Sequence, residues 1–133
     1  MKLTVAYKEI ENKVKEITKV SLSLSRENNK TLNIKCSSGI MLLPSIEISL
    51  IITAIYSNKI ELTYNCKPLM EIAVEKLLPK LISNLPKGVI EIENKTIKID
   101  LEEIEQAKKV LKFLSLSDIV INNETIEAFA EVK

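Results

Sequence analysis

The chain has 133 residues, of which 46% are apolar and 28% charged, with 19 basic and 18 acidic side chains and a net charge of +1. This length and balance describe one globular domain with a real core and exclude a disordered chain. Interspersed charges with Arg26 as the sole arginine argue against a surface that tracks nucleic-acid phosphates, and the lack of histidine rules out a Ser-His-Asp triad.

Isoleucine dominates the apolar set, tryptophan is absent, and phenylalanine occurs only at positions 113 and 129. Such a core is aliphatic and β-branched, which suits strands. The first expected element is a short strand over residues 2–7, with Leu3, Val5 and Tyr7 on one side. No signal peptide is expected before it, so the expected compartment is the cytoplasm. A helix over residues 8–18 follows, because Ile10, Val14 and Ile17 form one narrow apolar stripe.

Val20, Leu22 and Leu24 alternate with serines, and Leu32, Ile34 and Cys36 alternate on the return. An odd loop centred on Asn28 pairs Leu24 with Leu32 and Leu22 with Ile34, which keeps one face apolar. The next strand is long. Residues 45–56 place Ile46, Ile48, Leu50, Ile52, Ala54 and Tyr56 on one face, over about 40 Å at ~3.3 Å per residue. Ile51, Thr53 and Ile55 make the other face partly apolar near the tip. A three-residue loop at 57–59 pairs Tyr56 with Ile60, Ala54 with Leu62 and Ile52 with Tyr64. Pro44, Glu47 and the serines interrupt this apolar stretch, so no transmembrane segment is expected.

Pro68 opens a second helix, expected over residues 68–85. Leu69, Ala73, Leu77, Leu81 and Leu85 make one stripe, and Met70, Val74, Leu78 and Ile82 a second, with Ile72 beside them. The face is wider than a helix on one sheet requires. Pro79 lies inside the pattern and is expected to kink it, since it cannot donate to the Glu75 carbonyl. Pro86-Lys87-Gly88 closes the helix. A hairpin turning at Asn94-Lys95 then pairs Ile92 with Ile97, Ile90 with Ile99 and Glu91 with Lys98. Asp100 and Glu103 read as a capping box for a third helix, whose apolar face is Leu101, Ile104, Ala107, Val110, Leu111 and Leu114. Residues 118–121, a turn at Asn122-Asn123 and a strand over 125–132 finish the chain.

Little chemistry stands out. Glu102, Glu103 and Glu105 sit where a helix start favours negative charge. Cys36 and Cys66 read as reduced thiols packed as small apolar groups, without a histidine to activate either. No metal ligands cluster, and no cofactor is expected. Tyr56 and Tyr64 either frame a pocket mouth with wet hydroxyls or simply pack. The broad helix face is either clasped all round by a curled sheet or lines a groove for an acyl chain or other apolar ligand.

The 45–66 hairpin, the 68–85 helix and the run from Val89 to Leu101 with its Ile-Lys-Ile-Asp-Leu close resemble the tubular lipid-binding (TULIP) superfamily. They are also similar to small bacterial lipid-binding proteins of the LmeA-like type. The resemblance implies long curved strands wrapped on apolar helices and transport or holding of lipid. The expected fold is α+β: a highly curved antiparallel β-sheet of long hairpins packed on three helices, in a single domain over residues 1–133. The expected function is non-enzymatic binding of a lipid or other apolar small molecule. Its site is Leu69, Met70, Ala73, Val74, Leu77, Leu78, Leu81 and Ile82 facing Ile48, Leu50 and Ile52, with Tyr56 and Tyr64 at the mouth. The alternative is a protein–protein interaction module or accessory subunit, with a protein partner or a homodimer formed through an apolar surface or strand edge.

Overall fold

The computed structural model describes residues 1–40, 43–83, 85 and 87–133, with side chains at all of these except 37–40, 43, 44, 77, 80 and 81. The class is α+β, with nine strands in antiparallel sheets and three helices among the described residues. In chain order these are β1 (Lys2–Ala6), α1 (Tyr7–Thr18), β2 (Leu22–Asn28), β3 (Thr31–Ile40), β4 (Leu43–Ile55), β5 (Lys59–Asn65), α2 (Glu71–Ile82), β6 (Ile90–Glu93), β7 (Thr96–Asp100), α3 (Glu105–Leu111), β8 (Leu114–Ile121) and β9 (Thr125–Val132). Short 3₁₀ turns over Pro68–Met70 and Leu101–Glu103 lead into α2 and α3.

The strands form two sheets, where one was expected. Six pair in the order β2-β3-β4-β5-β7-β6, and three pair in the order β1-β9-β8. The second sheet brings the chain ends together, with Leu3 opposite Ala128 and Val5 opposite Ile126. It closes over the hairpin tips of the first. The Leu116 amide donates to the Ser57 carbonyl at 3.0 Å, and the Ile121 amide to the Asn29 carbonyl at 2.9 Å. Those bonds use backbone groups on β8 that would otherwise be an open edge. On the opposite flank of the large sheet, α1 lies beside β2, and Glu11 accepts the Leu24 amide at 2.8 Å.

Two hairpin registers differ from expectation, and each difference is a β-bulge. In β2–β3, Leu24 lies opposite Ile34 and Leu22 opposite Cys36, with the extra residue Glu27 between Arg26 and Asn28. The turn is Asn29-Lys30, and the Asn28 side chain accepts the Lys30 amide at 3.0 Å. The bulge absorbs the odd residue, so apolar side chains still share a face. In β4–β5, Thr53 is the extra residue. Ile52 therefore opposes Leu62, Leu50 opposes Tyr64, and Ile55 opposes Ile60. The β6–β7 hairpin keeps the expected pairs: Ile90 with Ile99, Glu91 with Lys98 and Ile92 with Ile97. Its turn residues Asn94 and Lys95 have φ of 48° and 66°, the left-handed pair that a tight hairpin turn needs.

The first helix takes Tyr7 from the expected strand, whereas α2 and α3 are shorter than the apolar patterns suggest. Asp100 caps the 3₁₀ turn by accepting the Glu102 amide at 3.1 Å, and α3 starts only at Glu105. Leu114 belongs to β8, not to α3. α2 runs through Pro79 to Ile82, and the Ser83 amide donates to the Pro79 carbonyl at 2.9 Å. Leu85 follows the helix, and the expected helix end at Pro86 lies outside the described residues.

One face of the large sheet carries the whole core, in two clusters. Under α2, Cys36, Ile46, Ile48, Tyr64 and Ile97 bury against Ala73 and Val74. Under the small sheet and α1, Leu24 and Leu32 bury against Tyr7, Ile119 and Ile121. Leu50 packs against both.

Candidate functional site

Alternation along β4 decides which side chains meet the helix. Ile46, Ile48 and Leu50 point to the covered face, and neighbouring strands add Leu22, Ile34 and Cys36 on one side and Tyr64 and Ile97 on the other. α2 lays Ala73, Val74 and Leu78 over them, one helical turn apart or adjacent. The helix does not fill the space beneath it. A partly enclosed cavity of about 120 Å³ remains, walled by Leu22, Ile34, Cys36, Ile48, Leu50, Tyr64, Val74, Leu78 and Ile97. Every wall residue is apolar except for the Tyr64 hydroxyl and Cys36 thiol, so the cavity suits hydrocarbon better than water.

Tyr64 and Leu78 are also walls of a larger open groove. It measures about 460 Å³ and runs between α2 and the large sheet, lined by Tyr64, Glu75, Leu78, Pro79, Ile82, Ser83 and Ile92. That volume falls within the ~300–1,000 Å³ of small-molecule sites. Pro79 faces the groove with an apolar ring. Beside the groove lies a polar recess of about 310 Å³, lined by Tyr64, Glu71, Glu75, Ile92, Asn94 and Lys95. Lys95 donates to Glu71 at 2.7 Å, and this bond holds its ammonium above the ordinary lysine range. Burial pushes the Tyr64 phenol up, with the neighbouring Cys66, Glu75 and Glu71 adding to it.

The expected site residues divide into three groups. Ala73, Val74, Leu78, Ile48 and Tyr64 meet under α2, with Leu50 at the inner end and Ile82 at the groove's outer wall. Met70 sits half-buried at the rim, its sulfur accepting the Glu47 amide at 3.4 Å. Leu69, Ile52 and Tyr56 lie elsewhere. Leu69 is 86% exposed, because a 3₁₀ turn precedes α2 and advances ~120° per residue instead of ~100°; Ile72, on α2 itself, is 65% exposed. Ile52 packs under the small sheet, where it lines a separate apolar cavity of about 160 Å³ with Leu50, Ile119 and Ile121. Tyr56 is exposed, since the Thr53 bulge turns Ile55 inward and Tyr56 outward. The side chains of Leu77 and Leu81 lie outside the described residues.

Sequence reasoning missed Glu75, Ser83 and Ile92 at the groove and Leu22, Ile34, Cys36 and Ile97 at the cavity. The isoleucine pairs of the β6–β7 hairpin were the available signal; their apolar face needed a cover.

The opposite face of the large sheet holds a polar cleft of about 430 Å³ that includes Arg26, Glu27, Asn33, Glu47, Ser49 and Lys67. Its groups largely satisfy one another. Asn33 donates to Glu47 at 3.3 Å and Ser49 to Glu27 at 3.1 Å, while Arg26 turns to the small sheet and donates to the Ile121 carbonyl at 3.1 Å. Among the described residues no three His, Cys, Asp or Glu side chains gather as metal ligands, and no helix is long and apolar enough to cross a membrane. Cys36 and Cys66 are free thiols.

Compared with protein-family models, with curated proteins and with solved structures, the chain finds no significant match.

Proposed function

We propose that the protein binds a lipid or other apolar small molecule, without catalysis, between α2 and the large sheet. The observation that carries this is an apolar groove and an apolar cavity that border α2 and share two wall residues, Tyr64 and Leu78. A tail laid along the groove at Ile82 and Pro79 meets a mostly apolar lining, broken by Glu75 and Ser83. Burying apolar ligand surface there gains ~25 cal/mol per Å², and Tyr64 and Cys36 bring the only polar side-chain atoms to the cavity wall. The likeness to tubular lipid-binding proteins, with long hairpins wrapped on an apolar helix, and a cytoplasmic setting belong to the same proposal.

Native mass spectrometry of detergent-free protein, followed by solvent extraction, tests it. Acyl-chain adducts on the 15.0 kDa chain are the expected result. Leu78→Lys should remove them. Ile82→Lys, at the half-buried outer wall, serves as a second variant that spares the core. A bare chain that takes up no added amphiphile would overturn the proposal.

A second proposal, an interaction module, draws support from Leu69 and Ile72. Two large apolar side chains stand in solvent on the first turns beside α2, and contiguous exposed apolar surface marks contact sites. Light scattering of wild type against Leu69→Ser/Ile72→Ser tests it: a dimer that the double variant abolishes is the expected result.

A further inference from the structure

We infer that the groove takes an amphiphile whose head group presents a positively charged, hydrogen-bond-donating nitrogen to the recess of Glu75, Glu71 and Tyr64. The inference rests on the apolar-ligand proposal above and adds the class of head group.

The polar recess and the apolar groove share Tyr64, Glu75 and Ile92. A ligand with its tail in the groove therefore puts its polar end against the recess. The charges there are unbalanced. Two carboxylates, Glu71 and Glu75, face one ammonium, Lys95. Lys95 is engaged by Glu71 at 2.7 Å. Glu75 has no ion-pair or hydrogen-bond partner among the described residues, so one negative charge is left over.

Tyr64 supplies an independent pointer. The residue is 91% buried, since 9% of its surface is exposed, and its hydroxyl makes no hydrogen bond among the described residues. Yet no described side-chain polar atom is both sealed from solvent and unpartnered. The hydroxyl must then open on the space its ring borders, which is the recess and the groove. A hydroxyl open to that space is bonded by water, and a ligand head that donates or accepts there can take the water's place.

An ammonium head meets both groups. It donates to the free Glu75 carboxylate in a charge-assisted bond, and its remaining hydrogens reach the Tyr64 oxygen. A carboxylate head faces the reverse. Its one cation is already bonded, and Glu75 repels it. A hydroxyl head lies between the two.

Three ligands with one tail test this: dodecylamine, dodecanol and dodecanoate, titrated at pH 7 below their micelle concentrations into the full chain by calorimetry. The amine should bind roughly tenfold or more tighter than the alcohol, the worth of one hydrogen bond to a charged group, with dodecanoate weakest. Glu75→Gln should bring the amine down to the alcohol. Tyr64→Phe should weaken the amine several-fold, with the far-ultraviolet circular dichroism unchanged. Dodecanoate matching the amine, or an amine preference that survives Glu75→Gln, would overturn the head-group assignment and leave the apolar site standing. Failure of all three to bind would overturn both.

Discussion

The Lys95 ammonium donates to the Glu71 carboxylate at 2.7 Å, tying the turn of the β6–β7 hairpin to the first turn of α2. Lys95 does this from a strained backbone, at φ 66°. Side chains with a Cβ cost roughly 1–2 kcal/mol in the left-handed region, and glycine avoids that cost. Lys95→Ala and Lys95→Gly both remove the ion pair, but only glycine relieves the backbone. Lys95→Gly should be the more stable of the two by about 1 kcal/mol in urea unfolding. Equal midpoints would mean that the turn is not left-handed at this residue.

Burial separates two large apolar residues, Ile46 on β4 and Leu69 before α2. Ile46 is fully buried at 0% exposure, against Ala73 and Val74, whereas Leu69 stands in solvent. Ile46→Ala should cost about 2–5 kcal/mol through lost transfer energy and the cavity it leaves. Leu69→Ala should change stability by less than ~0.5 kcal/mol. Denaturant midpoints of the two variants check this. A large loss from Leu69→Ala would place that side chain in the core, as the heptad-like spacing alone suggests.

The contrast shows what the residues made legible. The β6–β7 hairpin could be read because two turn residues and four isoleucines leave one register that shares a face. The other hairpins could not, since Glu27 and Thr53 carry no mark of a bulge; Glu and Thr are ordinary strand residues on a solvated face. Their inner faces survived because burial fixes which side chains point inward, whatever the pairing offset. At the site, Ala73, Val74 and Leu78 followed from helical spacing, and Ile48 from alternation. Leu69 did not, because the 3₁₀ turn shifts the phase before Glu71. Ile52 was assigned to α2 instead of to the second sheet. That sheet joins β1 to β9 across almost the whole chain, and no local pattern announces so distant a pairing.

Lys30 gives the hairpin turn a second anchor. Its ammonium bonds the Asp118 carboxylate and holds it below the usual carboxylate range. The unfolded carboxyl titrates near ~3.9, so the folded group titrates lower. Its stabilisation is present above that pH and is lost as pH falls through the folded value. Both side chains are partly exposed, at 36% and 48%, so solvent screening limits the effect to less than ~1 kcal/mol. Asp118→Asn should be slightly less stable than wild type at neutral pH. The gap should narrow as pH falls below the ordinary carboxylate range to strongly acid pH, where wild-type Asp118 becomes protonated too. A gap that stays constant down to that pH would assign the effect to something other than this ion pair.

The two thiols should differ in access but agree in sluggishness. Burial pushes both Cys36 and Cys66 above the ordinary thiol range, and Glu71 raises Cys66 further. The thiolate is the reactive form, so each should react more slowly than free cysteine near neutral pH. Cys66 is half-buried beside the β5 end, while Cys36 lies in the core under α2. Iodoacetamide should therefore label Cys66 slowly in the native protein, with a rate that climbs as pH rises past the ordinary thiol range. Cys36 should be labelled only through unfolding, at a rate that urea accelerates. Mass spectrometry after timed quenching reads both sites at once. Rapid labelling of Cys36 without denaturant would mean that the cavity it borders opens to water, and that α2 lifts from the sheet far more readily than its buried Ala73 and Val74 contacts imply.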